Sequence, residues 1–209
     1  MEFAVGRNEK RYLMSFGTGG LFINESITVA RLHLPGEEWD ITLERAIAGG
    51  ATTLPKTASN RRSLREICKR VGSLTDEERN FLTNEADRPD QEALLWLSMC
   101  RTYRFVREFL LEVIQERYLS FRLDLPLEAF DSFFDAKAEW DDGLTGLSQT
   151  TRLKLRQILF RIMREAGIID KSGQIRQAYL SSRLKGLIYA KNPDEILYFP
   201  GLRKEEIVP

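Results

Sequence analysis

The chain has 209 residues, 43% hydrophobic and 30% charged, which suits one medium or two small domains and is too apolar for a disordered or low-complexity polymer. Lys plus Arg number 31 and Asp plus Glu also number 31, so net charge names no partner and any electrostatic function must lie in how charge is distributed. Cys68, Cys100 and the single His33 are too few for a Cys/His zinc site or a disulfide framework and fit a reducing cytoplasm. Met1 to Arg11 lacks the pattern of a secretory signal, and the most apolar window, Ala93 to Cys100, is far shorter than the roughly 20 residues a membrane span needs. These features predict a soluble, cytoplasmic, cofactor-free protein with no membrane and no small-molecule substrate.

Ile23 to His33 has helical apolar spacing and is stopped by Pro35-Gly36; Glu37 to Ala48 reads as a second helix stopped by Gly49-Gly50. A Thr/Pro/Ser-rich connector follows, and from Ser59 a third helix sets Leu64, Ile67, Cys68 and Val71 on one face. Thr75 with Glu78 forms a capping box for a helix from Asp76 to about Asn84, and Asp87-Arg88-Pro89-Asp90 marks a break. Glu92 to Phe121 is the strongest helical signal; it either runs through or breaks near Arg101 to Tyr103, where polar residues concentrate. Pro126 opens a helix reaching Trp140, and Ser148 caps another running to Ala166, with Gly167 as its stop. Ile168 to Ile175 reads as a tight turn between short apolar pieces, with room for a small wing. Ser181 to Ala190 is a last helix, and Ile196 to Phe199 a candidate edge strand or extended tail.

Charge is strongly segregated along this balanced chain. Lys56, Arg61, Arg62, Arg65, Lys69 and Arg70 face one acid, Glu66, and at helical spacing they fall opposite the apolar face of the third helix. Arg152, Lys154, Arg156, Arg161 and Arg164 form a second run with no acid before Glu165. Acids gather elsewhere, notably Glu128, Asp131, Asp135 and Glu139 along one helical face. A basic helix after a turn can enter a major groove, Arg pairing with guanine or phosphate, while Asn60, Thr150 and Thr151 offer polar groups at the helix starts. The alternative for each patch is a solvated amphipathic helix.

Other constellations favour structural roles. Gly17-Thr18-Gly19-Gly20 lacks the strand and spacing of a phosphate loop and reads as a hinge or helix-start turn. The acidic face of Glu128, Asp131, Asp135 and Glu139 has no matching His or second acidic helix, so a solvated face or a contact for a basic partner is favoured over a metal. His33 reads as a surface or capping residue, and Trp39, Trp96 and Trp140 as core.

Particular residue combinations are familiar: Ser15-Phe16-Gly17-Thr18-Gly19-Gly20-Leu21 with Glu25-Ser26 and Trp39; Leu95-Trp96-Leu97 to Glu108-Phe109; Phe133-Phe134 to Lys137-Ala138-Glu139-Trp140; and Thr151 to Gln157 with Ala166-Gly167. Together they resemble the BrxA family of BREX bacteriophage-exclusion systems, over nearly the whole chain. The resemblance implies a mostly helical, non-enzymatic defence component with two helix-turn-helix-like units that bind double-stranded DNA. Those units fall where the two basic patches lie.

The expectation is therefore an all-α protein of two abutting helical units, residues 1–88 and 89–209, with helix-turn-helix-like elements and an optional wing. Its DNA contacts would be Lys56, Asn60, Arg61, Arg62, Arg65 and Lys69 in the first unit, and Thr150, Thr151, Arg152, Lys154 and Arg156 in the second. The main rival is an adaptor that docks other BREX subunits through Glu128, Asp131, Asp135 and Glu139. An RNA-binding helical factor is a third reading. No nucleophile, base and orienting group converge in a motif, so no enzyme is expected.

Overall fold

The computed structural model describes residues 11–49 and 58–204. A 3-10 turn at Ser15–Thr18 leads into α1 (Ile23–Leu32), α2 (Trp39–Ala48), α3 (Ala58–Val71), α4 (Asp76–Asn84) and α5 (Arg88–Thr102). Then come α6 (Arg104–Phe109), a π-helical turn at Leu110–Ile114, α7 (Gln115–Leu119), α8 (Leu127–Ala138), α9 (Asp142–Thr145), α10 (Gln149–Glu165) and α11 (Ser182–Lys191). The described residues are all-α apart from isolated β-bridges.

Local chemistry accounts for most helix boundaries. The Thr75 hydroxyl accepts from Glu78 N–H at 3.2 Å while the Glu78 carboxylate accepts from Thr75 N–H at 2.8 Å, the reciprocal cap the spacing predicts. Ser148 and Ser181 cap α10 and α11 in the same sense. The long apolar stretch does break: Tyr103 is extended at φ −118 and ψ 101, and the π turn then re-phases the helix.

The core is continuous across both halves of the chain, from Phe16 and Leu64 through Trp96 and Phe105 to Phe160 and Ile188. α3 packs on α1, α2 and α5, and α5 in turn meets α6 and α10. An aromatic cluster holds the centre: the Phe105 ring lies 5.1 Å from Phe133, 5.7 Å from Phe130 and 5.6 Å from Tyr12. Edge-on pairs of this kind add about 0.5–1.5 kcal/mol each beyond their area. Inside the same packing, Arg101 bridges Glu78 at 2.6 Å and Glu195 at 2.7 Å, the three side chains being nearly inaccessible. This buried triad ties α4, α5 and the C-terminal turn into one set of orientations.

Three expectations are corrected. Ile196 to Phe199 is not a strand: Asn192 and Pro193 start a 3-10 turn, Pro193–Tyr198, and Trp96 Nε1 donates to Tyr198 O at 2.7 Å. A four-residue apolar run is ambiguous by pattern, and the cap decides it. Trp140 is not core but 82% exposed, because α8 ends at Ala138, before the indole could turn inward. His33 is the C-cap of α1, its backbone N–H donating to Val29 O, and not a surface residue: its ring stacks on Trp39 at 3.8 Å and its Nδ1–H donates to Thr42 Oγ1 at 2.7 Å, since the Thr42 hydroxyl proton goes to Glu37. Burial and the nearby Arg79 charge hold the His33 pKa below its ordinary value.

After α10, Gly167 at φ 68 turns the chain into a short hairpin. Arg176 N–H donates to Ile168 O and Asp170 N–H to Gln174 O, both at 2.9 Å, and Ile175 N–H to Leu123 O at 2.7 Å. Asp170 rounds the tip by accepting from Ser172 N–H and Gln174 N–H. The chain order is thus helix, extended segment at residues 123–125, α8, α9, α10 and hairpin.

Candidate nucleic-acid interface

α3 is two-sided as the spacing predicts. Leu64, Ile67, Cys68 and Val71 are buried, and Arg61, Arg62, Arg65 and Lys69 are exposed. Arg61 pairs with Glu44 of α2, with both side chains about half in water at 49% and 57% exposure. No described carboxylate lies within ion-pair distance of Arg62, Arg65 or Lys69. Asn60 sits half-buried in the first turn, and Lys56 lies outside the described residues. Arg70, read with the outer face, is instead 1% exposed. It donates to Gly20 O at 3.0 Å and to the Tyr103 hydroxyl at 3.2 Å, and Tyr103 donates to Glu66 at 2.6 Å. The one acid of the patch is therefore an internal acceptor, not a surface neutraliser.

α10 departs further from expectation. Arg152 reaches across to α8, donating to Asp131 Oδ1 at 3.2 Å and Asp135 Oδ2 at 2.9 Å, with its guanidinium 4.7 Å from the Phe134 ring. Arg156 pairs with Asp131. Two predicted DNA contacts and two predicted partner contacts thus satisfy one another. The physical reason is register: Asp131 and Asp135, four apart on α8, meet Arg152 and Arg156, four apart on α10, so the acids kept away in sequence return in space. The hydrogen bonds from Arg152 hold Asp135 below the usual carboxylate range. Glu128 and Glu139 remain exposed on α8.

What α10 does present is a different line of side chains. Thr150, Lys154, Gln157, Arg161 and Arg164 are all exposed, stepping by four and three residues along one face. Thr151 flanks the stripe at the capped N-terminus. Arg161 is partly engaged with Glu165 at 2.7 Å, and no carboxylate stands on the stripe itself. Counting the period outward from buried Leu155, Leu159 and Ile162 recovers this face from sequence: the expected contacts Thr150 and Lys154 lie on it, and Arg152 and Arg156 lie off it. Beyond α10, the hairpin exposes Lys171 at its tip and Arg176 on its return.

The two basic helices are joined by the Ser15-to-Leu21 segment. Ser15 Oγ donates to Glu66 of α3 at 2.9 Å, Gly20 O accepts from Arg70 of α3, and Leu21 N–H donates to Glu165 of α10 at 2.6 Å. A Cβ at Gly20 would press on the Glu165 carboxylate and displace the group that receives Leu21 N–H. The glycine run is therefore a strap between α3 and α10, and not a free hinge.

Comparison with known proteins fits this architecture. A family model described as BrxA matches residues 10–192. The BREX protein BrxA of Escherichia coli O9:H4 (strain HS) is 22% identical over 168 residues, which is 80% of this chain and 78% of that protein. A crystal structure of an uncharacterized protein from Magnetospirillum magneticum shares the fold with a TM-score of 0.73 at 19% identity, covering 90% of this chain and 97% of that one.

Proposed function

The chain belongs to the BrxA family, and on that premise we propose that it is a BREX phage-defence component that grips duplex DNA without performing chemistry itself. The observation that carries the reading is the exposed stripe of Thr150, Lys154, Gln157, Arg161 and Arg164, in which only Arg161 has an ion-pair partner among the described residues, on a capped helix between a helix pair and a hairpin. That order of elements supports a winged helix-turn-helix in which α10 enters the major groove and Lys171 and Arg176 reach phosphates beside it. Arg62, Arg65 and Lys69 on α3 supply a second cationic face, with α1, α2 and α3 as its three-helix unit. Arg152 and Arg156 are reassigned in this reading: they hold α10 against α8.

Six outward cations (Arg62, Arg65, Lys69, Lys154, Arg161, Arg164) at phosphates predict an affinity loss of about a thousand-fold between 50 and 200 mM salt. A gel-shift titration with blunt duplex DNA across that range is the test. Affinity that barely moves with salt overturns the reading. The adaptor reading retains Glu128 and Glu139 as its exposed acids, since Asp131 and Asp135 are occupied. Replacing both by Lys leaves duplex retention unchanged if DNA is the partner, and competition with duplex RNA separates the third reading.

A further inference from the structure

A groove of about 560 Å³ opens between α2, α3 and the end of α5. Its floor is apolar, formed by Leu43, Cys68 and the edge of Trp39 against Gly72, where a Cβ would sit 2.9 Å from Trp39 Nε1. Arg65 and Lys69 stand at one side and Asp40 at the other, with no ion pair joining them among the described residues. Thr102 closes the inner end of the groove, its Oγ1 shielded from solvent. Volume, flat apolar floor, paired cations and an opposed acceptor are the usual furnishings of a small-ligand site.

We infer that this groove binds a single nucleotide, its amino-bearing base on the Leu43, Cys68 and Trp39 floor and its phosphate on Arg65 and Lys69. Asp40 accepts from the exocyclic amine. Charge complementarity selects the occupant: an anion at one end, a donor at the other and a planar apolar body between. A free mononucleotide and an unpaired nucleotide in a DNA strand share this chemistry. The site goes beyond duplex binding and overlaps it only at Arg65 and Lys69, so a bound phosphate there competes with duplex.

The test is a tryptophan-fluorescence titration of the full chain carrying Trp140→Phe, which removes the exposed indole. The probes are dAMP, dTMP, deoxyadenosine, inorganic phosphate, and duplexes that are blunt or end in one unpaired adenine. dAMP binds saturably, and dTMP, lacking the amine, binds about ten-fold more weakly, the value of a hydrogen bond to a charged acceptor. Deoxyadenosine and phosphate alone are weaker still. Asp40→Ala lowers dAMP affinity to the dTMP level and leaves blunt-duplex retention unchanged. An overhang preference erased by Asp40→Ala assigns the strand as source, and dAMP binding without such a preference assigns the free nucleotide. No saturable dAMP response, or equal dAMP affinity in the parent and in Asp40→Ala, overturns the inference. Loss of blunt-duplex binding with dAMP binding intact sinks the duplex reading and leaves this one standing.

Discussion

α3 and α10 look alike as sequence, each an amphipathic helix with a run of basic residues, yet the fold treats them differently. α3 keeps its outer cations in water and takes only Arg70 inside, where a carbonyl and a tyrosine hydroxyl receive it. α10 spends Arg152 and Arg156 on the neighbouring α8 and leaves a stripe one step around the helix. A basic residue therefore has no function until its partner is known, and that partner is set by packing and not by the neighbouring letters.

The sharpest contrast lies within α3 itself. Arg70→Ala removes a buried side chain, strands Gly20 O and leaves the Tyr103 hydroxyl with only its bond to Glu66, which should lower stability in urea denaturation by about 3 kcal/mol. Arg65→Ala, five residues earlier but exposed, should stay within about 0.5 kcal/mol while weakening duplex binding. Equal stability losses would dissolve the distinction between the two sides of the helix.

On α10 the same division is read through DNA. Lys154→Glu with Arg161→Glu should reduce duplex affinity by about a hundred-fold or more at 100 mM salt, each reversal replacing an attraction to phosphate by a repulsion. Arg152→Gln with Arg156→Gln should instead shift the urea midpoint downward and change duplex affinity only a few-fold. The reverse pattern would restore the helix-start assignment.

Acid should separate the helices more gently. Asp135 is held below its ordinary value of 3.8, first by the Arg152 hydrogen bonds. Because its folded pKa is depressed, its stabilisation is fully present above that value and is lost as pH falls through the lowered one. Denaturation midpoints measured from pH 6 to pH 2 should therefore fall more steeply in the parent than in Asp135→Asn. The smallest effect is expected for the exposed pair of Arg61 and Glu44, whose coupling in a double-mutant cycle should stay below about 1 kcal/mol.

Thiol reagents give a further check on the α3 interior. Burial, with a contribution from Asp40, pushes the Cys68 thiol up to about 12, so alkylation of the native protein at pH 8 should be far slower than of the urea-unfolded chain. Rapid native labelling would mean that the inner face of α3 opens.

Much of this was legible in the chain: the capping box at Thr75, the serine cap at Ser148, the Gly167 stop, and the apolar faces of α3 and α10. These are contacts among residues within about four positions of each other, so the local sequence carries both partners. Resolving the Arg101 to Tyr103 option, the docking of Tyr198 O on Trp96, the outward turn of Trp140 and the stacking of His33 on Trp39 needed the surrounding packing. So did the site. Which arginines remain free depends on α8 lying against α10 in one register, and the role of the glycine run depends on a strap touching helices some fifty and one hundred and forty residues away. Sequence alone settled which long stretches are helical and which face of each is greasy; tertiary structure settled which charges survive to meet a ligand, because an ion pair needs a distance of a few ångströms and only the folded chain supplies it.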